Sequence, residues 1–223
     1  MVAADIRPYR ERKVRLLNGA HTVTVPAALL AGLETVHDAV SDERVGAFMR
    51  RALFDEIVPY LDVPDAEEFA RDTMARFANP FIRHALIDIT LYQTTKMRVR
   101  IVPSIVAFYD RTGRVPQALA FGVAAYLAFM RGDVQTERRA AGLAVPDDGE
   151  GDRVRDAWHG VDLASDASII SYARAVCRDD VVWGIDLAHI PGFAAAVGEH
   201  LVRILRVGAL AAIDTLITEP AAR

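Results

Sequence analysis

The sequence predicts an all-α fold, and three observations carry that prediction. Apolar residues recur at three- and four-residue spacing along most of the 223 residues. No region alternates short strands with helices. Asp42, Pro64-Asp65, Asn79-Pro80 and Ser165-Asp166 stand just before periodic stretches, as helix-start signals do. With 52% hydrophobic residues the chain can bury a sizeable core.

The periodicity places helices near residues 42–60, 65–78, 80–92, 94–110, 115–131, 166–177 and 192–218. The most apolar stretch, 115–130, is broken by Gln117 and is shorter than the ~20 residues a membrane helix needs, so it reads as a buried helix. The polar, glycine-bearing stretch 145–152 reads as a surface loop within a single helical domain spanning 1–223. There is no internal repeat and no low-complexity tract.

Composition narrows the function classes. A net charge of −4 and a pI near 5.9 argue against a nucleic-acid or membrane-surface partner. Residues 1–12 are too charged for a signal peptide, and the lone Cys177 cannot form an internal disulfide, so a cytoplasmic protein is expected. No cysteine/histidine cluster has metal-ligand spacing, so no metal is expected. His37, His159, His189 and His200 read as surface or satisfied core residues, and Trp158 and Trp183 as packing residues. There is no GxGxxG or GxxxxGK[ST], so nothing in the sequence offers a dinucleotide phosphate loop.

The residue bias is informative. Arginine occurs 24 times and lysine twice, as Lys13 and Lys96; asparagine also occurs twice, as Asn18 and Asn79. Where arginine serves as the general surface cation, a lysine marks a position that needs lysine chemistry, and only lysine readily gives up its proton.

Both scarce residue types meet in residues 8–26, Pro-Tyr-Arg-Glu-Arg-Lys-Val-Arg-Leu-Leu-Asn-Gly-Ala-His-Thr-Val-Thr-Val-Pro. Local propensity favours a β-hairpin, with Asn18-Gly19 as a type I′ turn between two strand-like runs; Asn18 and His21 would then be incidental. The rival is a helix, on which Asn18 falls about 140° and His21 about 80° around from Lys13, one broad face able to converge on a ligand.

The pattern Lys-x-x-x-x-Asn-x-x-His at Lys13, Asn18 and His21 resembles the catalytic signature of the long-chain mannitol dehydrogenase family. The run Tyr-Arg-Glu-Arg-Lys-Val-Arg-Leu-Leu-Asn-Gly-Ala-His-Thr is similar to its tagaturonate reductase (altronate oxidoreductase) branch. So are Arg76-Phe-Ala-Asn-Pro80, Arg83-His84, Lys96 and Pro103-Ser104 in that order. The resemblance covers at least residues 8–104. It implies a helical C-terminal domain of the 6-phosphogluconate dehydrogenase C-terminal-like fold, with the triplet on a helix facing an interdomain cleft. It also implies NAD held mainly by an N-terminal Rossmann domain outside this chain, in cis or in trans. The isolated chain is then expected to be inactive alone.

The resemblance further implies roles. Lys13 would be the general base in alcohol oxidation and the acid in reduction, if burial or neighbouring cations (Arg10, Arg12, Arg15) lower its pKa. Asn18 and His21 would donate hydrogen bonds to the reacting oxygen. For a sugar acid or polyol substrate, Arg83 offers a bidentate fork for a carboxylate, Lys96 a compact charge, and His84 a further contact. Expected alternatives are a fructuronate reductase or mannitol dehydrogenase domain, or a helical binding domain with no catalytic role.

Overall fold

The computed structural model describes residues 5–134, 140 and 149–219. Among them the only pairing of extended backbone is an isolated antiparallel bridge between Thr35 and Ala85; everything else regular is helical, as the periodicity predicts.

At the centre lies helix Gln117–Phe129, in which every residue from Ala118 onward is buried. It packs against Gly19–Leu30 on one side and Phe193–Val207 on another, and Phe193–Val207 packs in turn on Asp166–Arg178. The first of these contacts depends on Gly122, where an added Cβ would sit 2.1 Å from Val23 Cγ2. The start of the central helix is capped from elsewhere in the chain. Buried Glu56 accepts from the backbone N–H groups of Ala118 and Leu119, both at 2.8 Å, supplying the acceptors that a first helical turn lacks.

The segment 7–30 is one continuous helix and not a hairpin. Pro8 sits in its first turn, where a missing N–H costs nothing. Asn18 and Gly19 both have right-handed helical backbone angles. Between Lys13 and Asn18 the helix widens into a π-turn before Gly19–Leu30 resumes as α-helix. The hairpin lost because residues 16–29 are almost all buried in a wide apolar face, a tertiary pull that local turn propensity does not register.

Several sequence expectations hold. Asp42 caps Glu43–Arg50 through Oδ1, and Ser165 caps Asp166–Arg178 through its hydroxyl. Others are corrected. Residues 80–92 are not one helix. Asn79 Oδ1 accepts from the Phe81 N–H at 3.0 Å to close a turn, and only Leu86–Ile89 is helical. Gly208, at φ 82°, divides 192–218 into two helices. The predicted loop 145–152 is helical at its end: Gly149–Asp156 forms a helix held by Glu150, which pairs with Arg98 at 3.0 Å and accepts from Thr95. Residues 145–148 lie outside the described residues. Among the described residues no helix is long and apolar enough to cross a membrane.

Candidate active site

The site is organised by the helix 7–30 and the segment 93–101 packed across it. The π-turn sets the geometry. In a straight α-helix Asn18 and His21 would lie about 140° and 80° from Lys13. One extra residue in the turn retards the later residues by about 100°, bringing Asn18 to about 40° on one side of Lys13 and His21 to about 20° on the other. By that ideal geometry the three Cα positions would share a sector of about 60°.

Pro26 shapes the same stretch. Lacking an N–H, it cannot bond the carbonyl of Thr22 four residues earlier. Gln93 Nε2 donates to that carbonyl instead, at 2.8 Å. The Thr22 hydroxyl donates to the Asn18 carbonyl at 2.7 Å and accepts from Arg100 Nη1 at 3.1 Å. Beside it, an added Cβ on Gly19 would sit 3.9 Å from the Arg100 carbonyl oxygen, so the two backbones run close together. The carbonyl freed by Pro26 thus becomes a point of attachment for segment 93–101 beside the turn that carries Asn18.

His21 is partly buried, its ring stacked on Phe77 at 3.9 Å and meeting His84 edge-on at 5.5 Å. Its Nε2 is buried with no hydrogen-bond partner among the described residues. Burial, reinforced by the positive potential of His84, Arg100 and Lys96, pushes the His21 pKa down to about 3. The ring is therefore neutral at physiological pH. Lys96 donates to the Ile89 carbonyl at 3.0 Å, and burial followed by the Arg100 charge moves its pKa down. Burial lowers the Arg100 pKa as well.

The sequence candidates divide. His21, His84 and Lys96 come together. Asn18 is half-buried, joined to the same cluster through Thr22 and its backbone. Lys13 is exposed. Two of the three cations expected to act on Lys13, Arg12 and Arg15, are occupied elsewhere. Arg12 donates to the Pro64 carbonyl and lies over Phe69, while buried Arg15 pairs with Glu11 and bonds Ser104. Arg83 points to another partner, with its exposed guanidinium 3.8 Å from Glu34. Sequence reasoning missed Arg100, Thr22 and Gln93. Arg100, four residues after Lys96, and Pro26, four after Thr22, were the available signals. Among the described residues no three His, Cys, Asp or Glu side chains gather as metal ligands.

Residues 5–205 match the mannitol dehydrogenase C-terminal domain family. The chain belongs to that family. It is 41% identical over 217 residues to an altronate oxidoreductase of Pectobacterium atrosepticum, covering 96% of this chain and 44% of the relative. An altronate oxidoreductase of Klebsiella pneumoniae is 40% identical over 220 residues, with the same two coverages. The chain thus spans less than half the length of these relatives. Among solved structures, the Pseudomonas fluorescens mannitol 2-dehydrogenase ternary complex with NAD and D-mannitol superposes with a TM-score of 0.81 at 23% identity. That match covers 98% of this chain and 42% of the other. A substrate-free D-sorbitol dehydrogenase gives a TM-score of 0.65 at 19% identity. The helical fold is the family's.

Proposed function

We propose that this chain is the proton-handling, substrate-binding half of an NAD-dependent dehydrogenase that interconverts a keto sugar acid and its alcohol, tagaturonate and altronate. What supports the reading is the π-turn at Lys13–Asn18, since one extra residue there would turn Asn18 and His21 toward the Lys13 side of the helix. The substrate class is taken over from the altronate oxidoreductases that share about two-fifths of its residues.

In this reading Lys13 removes the hydroxyl proton during oxidation and returns it during reduction. Asn18 and His21 hydrogen-bond the same oxygen, His21 through the buried Nε2 that lacks a protein partner. A ring kept neutral to about pH 3 can donate a hydrogen bond without exchanging protons with Lys13. Because Lys13 is exposed here, the desolvation its role requires has to come from substrate and from a second domain closing over this face. Phe81, 93% exposed, with exposed Ile82, Leu91 and Tyr92 on either side of His84 in sequence, gives such a domain an apolar rim to cover.

NAD, when bound, supplies the hydride acceptor. The orphaned His21 Nε2 would hold the substrate oxygen whose carbon exchanges hydride with the dinucleotide. Among the described residues nothing is built for its phosphates: Gly19 is inside a helix, and Gly149 and Gly151 lie in another. The phosphate end falls to the second domain.

The test is to supply an NAD-binding domain from a full-length relative and follow NADH oxidation with tagaturonate. The 223-residue chain alone should show no turnover. The reconstituted enzyme should lose 100-fold or more of its rate with Lys13→Ala, an effect of roughly the size general acid–base catalysis supplies. The exposed position predicts a stability change within about 0.5 kcal/mol. Full activity in that variant would remove Lys13 from the mechanism.

A further inference from the structure

His84 meets the His21 ring edge-on at 5.5 Å, and three groups that can carry positive charge, His84, Lys96 and Arg100, act on that ring electrostatically. Among the described residues, neither Lys96 nor Arg100 is paired with a carboxylate. Lys96 has the Ile89 carbonyl and Arg100 the Thr22 hydroxyl. Arg15 shows the contrast. It is also buried, but it has Glu11 and Ser104. A guanidinium has five N–H donors in a planar fork, and a single neutral hydroxyl leaves most of them available. Partial burial of two adjacent cations without a counter-charge is costly, and an anionic ligand would relieve it. The placement is specific too. The Thr22 hydroxyl that receives the Arg100 bond also binds the Asn18 carbonyl. Arg100 is therefore tied to the same turn that carries the proposed oxyanion donor. Arg83, the other arginine suited to this task, is turned toward Glu34.

We propose that Arg100, steadied by Thr22 and flanked by Lys96, binds the carboxylate terminus of the substrate and so selects sugar acids over neutral polyols. Arg100 is on this account a specificity-determining residue, and the inference rests on the dehydrogenase reading above.

The test uses the 223-residue protein, with the His21 ring followed by 1H–15N NMR during titration with D-altronate and with altritol. These ligands differ in a carboxylate against a hydroxymethyl group at one end. In the wild type, altronate should bind at least tenfold more tightly than altritol. Arg100→Gln should collapse that difference, weakening altronate binding more than altritol binding. Arg100→Lys, which keeps the charge but not the fork, should restore part of it. The thermal midpoint and the unliganded His21 resonance check that each variant is folded, and Arg100→Lys decides if Arg100→Gln is not. A preference for altronate that survives in both variants overturns the role of Arg100 and leaves the sugar-acid reading standing. Equal binding of the two ligands by the wild type overturns carboxylate selection but leaves a polyol site. Inorganic phosphate displacing altronate at equal concentration makes this cluster a phosphate site and overturns the assignment. If neither ligand moves the His21 resonance, either in the chain alone or with an NAD-binding domain from a full-length relative and NAD added, the site itself is refuted, and the proposed function with it.

Discussion

Removing the titratable ring at position 21 should make the protein markedly more tolerant of acid. In an unfolded chain an imidazole takes up a proton near pH 6.5, whereas in the fold His21 stays neutral until about pH 3. A depressed folded-state value means that the unfolded chain binds more protons throughout that window. Stability is therefore fully present above pH 6.5 and is lost as the pH falls toward 3. At pH 5, 1.5 units below the unfolded value, the loss attributable to this one ring is about 2 kcal/mol. His21→Phe keeps an aromatic ring against Phe77 and has nothing to protonate. Urea unfolding of wild type and variant at pH 8 and pH 5 isolates the effect. His200, whose pKa burial and the Arg203 and Arg51 charges lower to about 4, contributes equally to both proteins and cancels. The wild type should lose about 2 kcal/mol more than the variant between the two pH values. Parallel pH dependences, or a His21 ring titrating near pH 6.5 by NMR, would refute the reasoning.

Three further outcomes follow from the packing. Glu56→Gln replaces two acceptor oxygens with one and sets an NH2 against a helix N–H, so it should cost about 1–3 kcal/mol in denaturant unfolding. Burial raises the Glu56 pKa to about 7, so its contribution is present at low pH and lost as the pH rises through 7. Without it, the variant should lose more stability than wild type on acidification from pH 8 to 5. Gly122→Ala drives a methyl into Val23 and should destabilise by about 1–3 kcal/mol, read as a lowered thermal midpoint. Gln93→Leu leaves the Thr22 carbonyl without its donor. Pro26→Ala restores an N–H at the i+4 position, so a double-mutant cycle should show the second change offsetting the first by about 1 kcal/mol; strict additivity would exclude the pairing.

How much of this was legible in the sequence depends on which physical term decided each element. Where an apolar stripe and a side-chain cap agree, as at Asp42 and Ser165, periodicity alone placed the helices. Residues 80–92 failed that reading because Asn79-Pro80 is equally a turn signal, and the Asn79 side chain closed on Phe81. For the site, scarcity of lysine singled out Lys13 and Lys96, but it is silent about arginine. Arg100 is one of 24 arginines, and only its half-buried place beside Thr22 separates it from the others. Arg83 had the better sequence context and the poorer position, because side-chain direction in an irregular segment is set by contacts that spacing does not encode.

The π-turn at Lys13–Asn18 shows why motif spacing and helix period can disagree without either being wrong. A five-residue step followed by a three-residue step spreads its members over about 140° of a regular α-helix, a poor arrangement for three groups meant to meet one oxygen. The spacing makes chemical sense only if the backbone inserts an extra residue between the first two. A wider turn weakens the regular hydrogen-bond ladder, and the surroundings here sustain it. Arg15, within the turn, is held by Glu11 and Ser104, and Leu16 is fully buried. The Asn18 carbonyl at its end accepts from Thr22. Such turns persist where the fold over-determines them, and their concentration at working sites is a reason to search for function wherever one appears. The same logic accounts for the second π-turn that bears on the site, Met97–Ile101, which follows Lys96 directly and carries Arg100. The two segments pack against one another, so the proposed site of Lys13, Asn18, His21, Lys96 and Arg100 draws on both departures from the regular period.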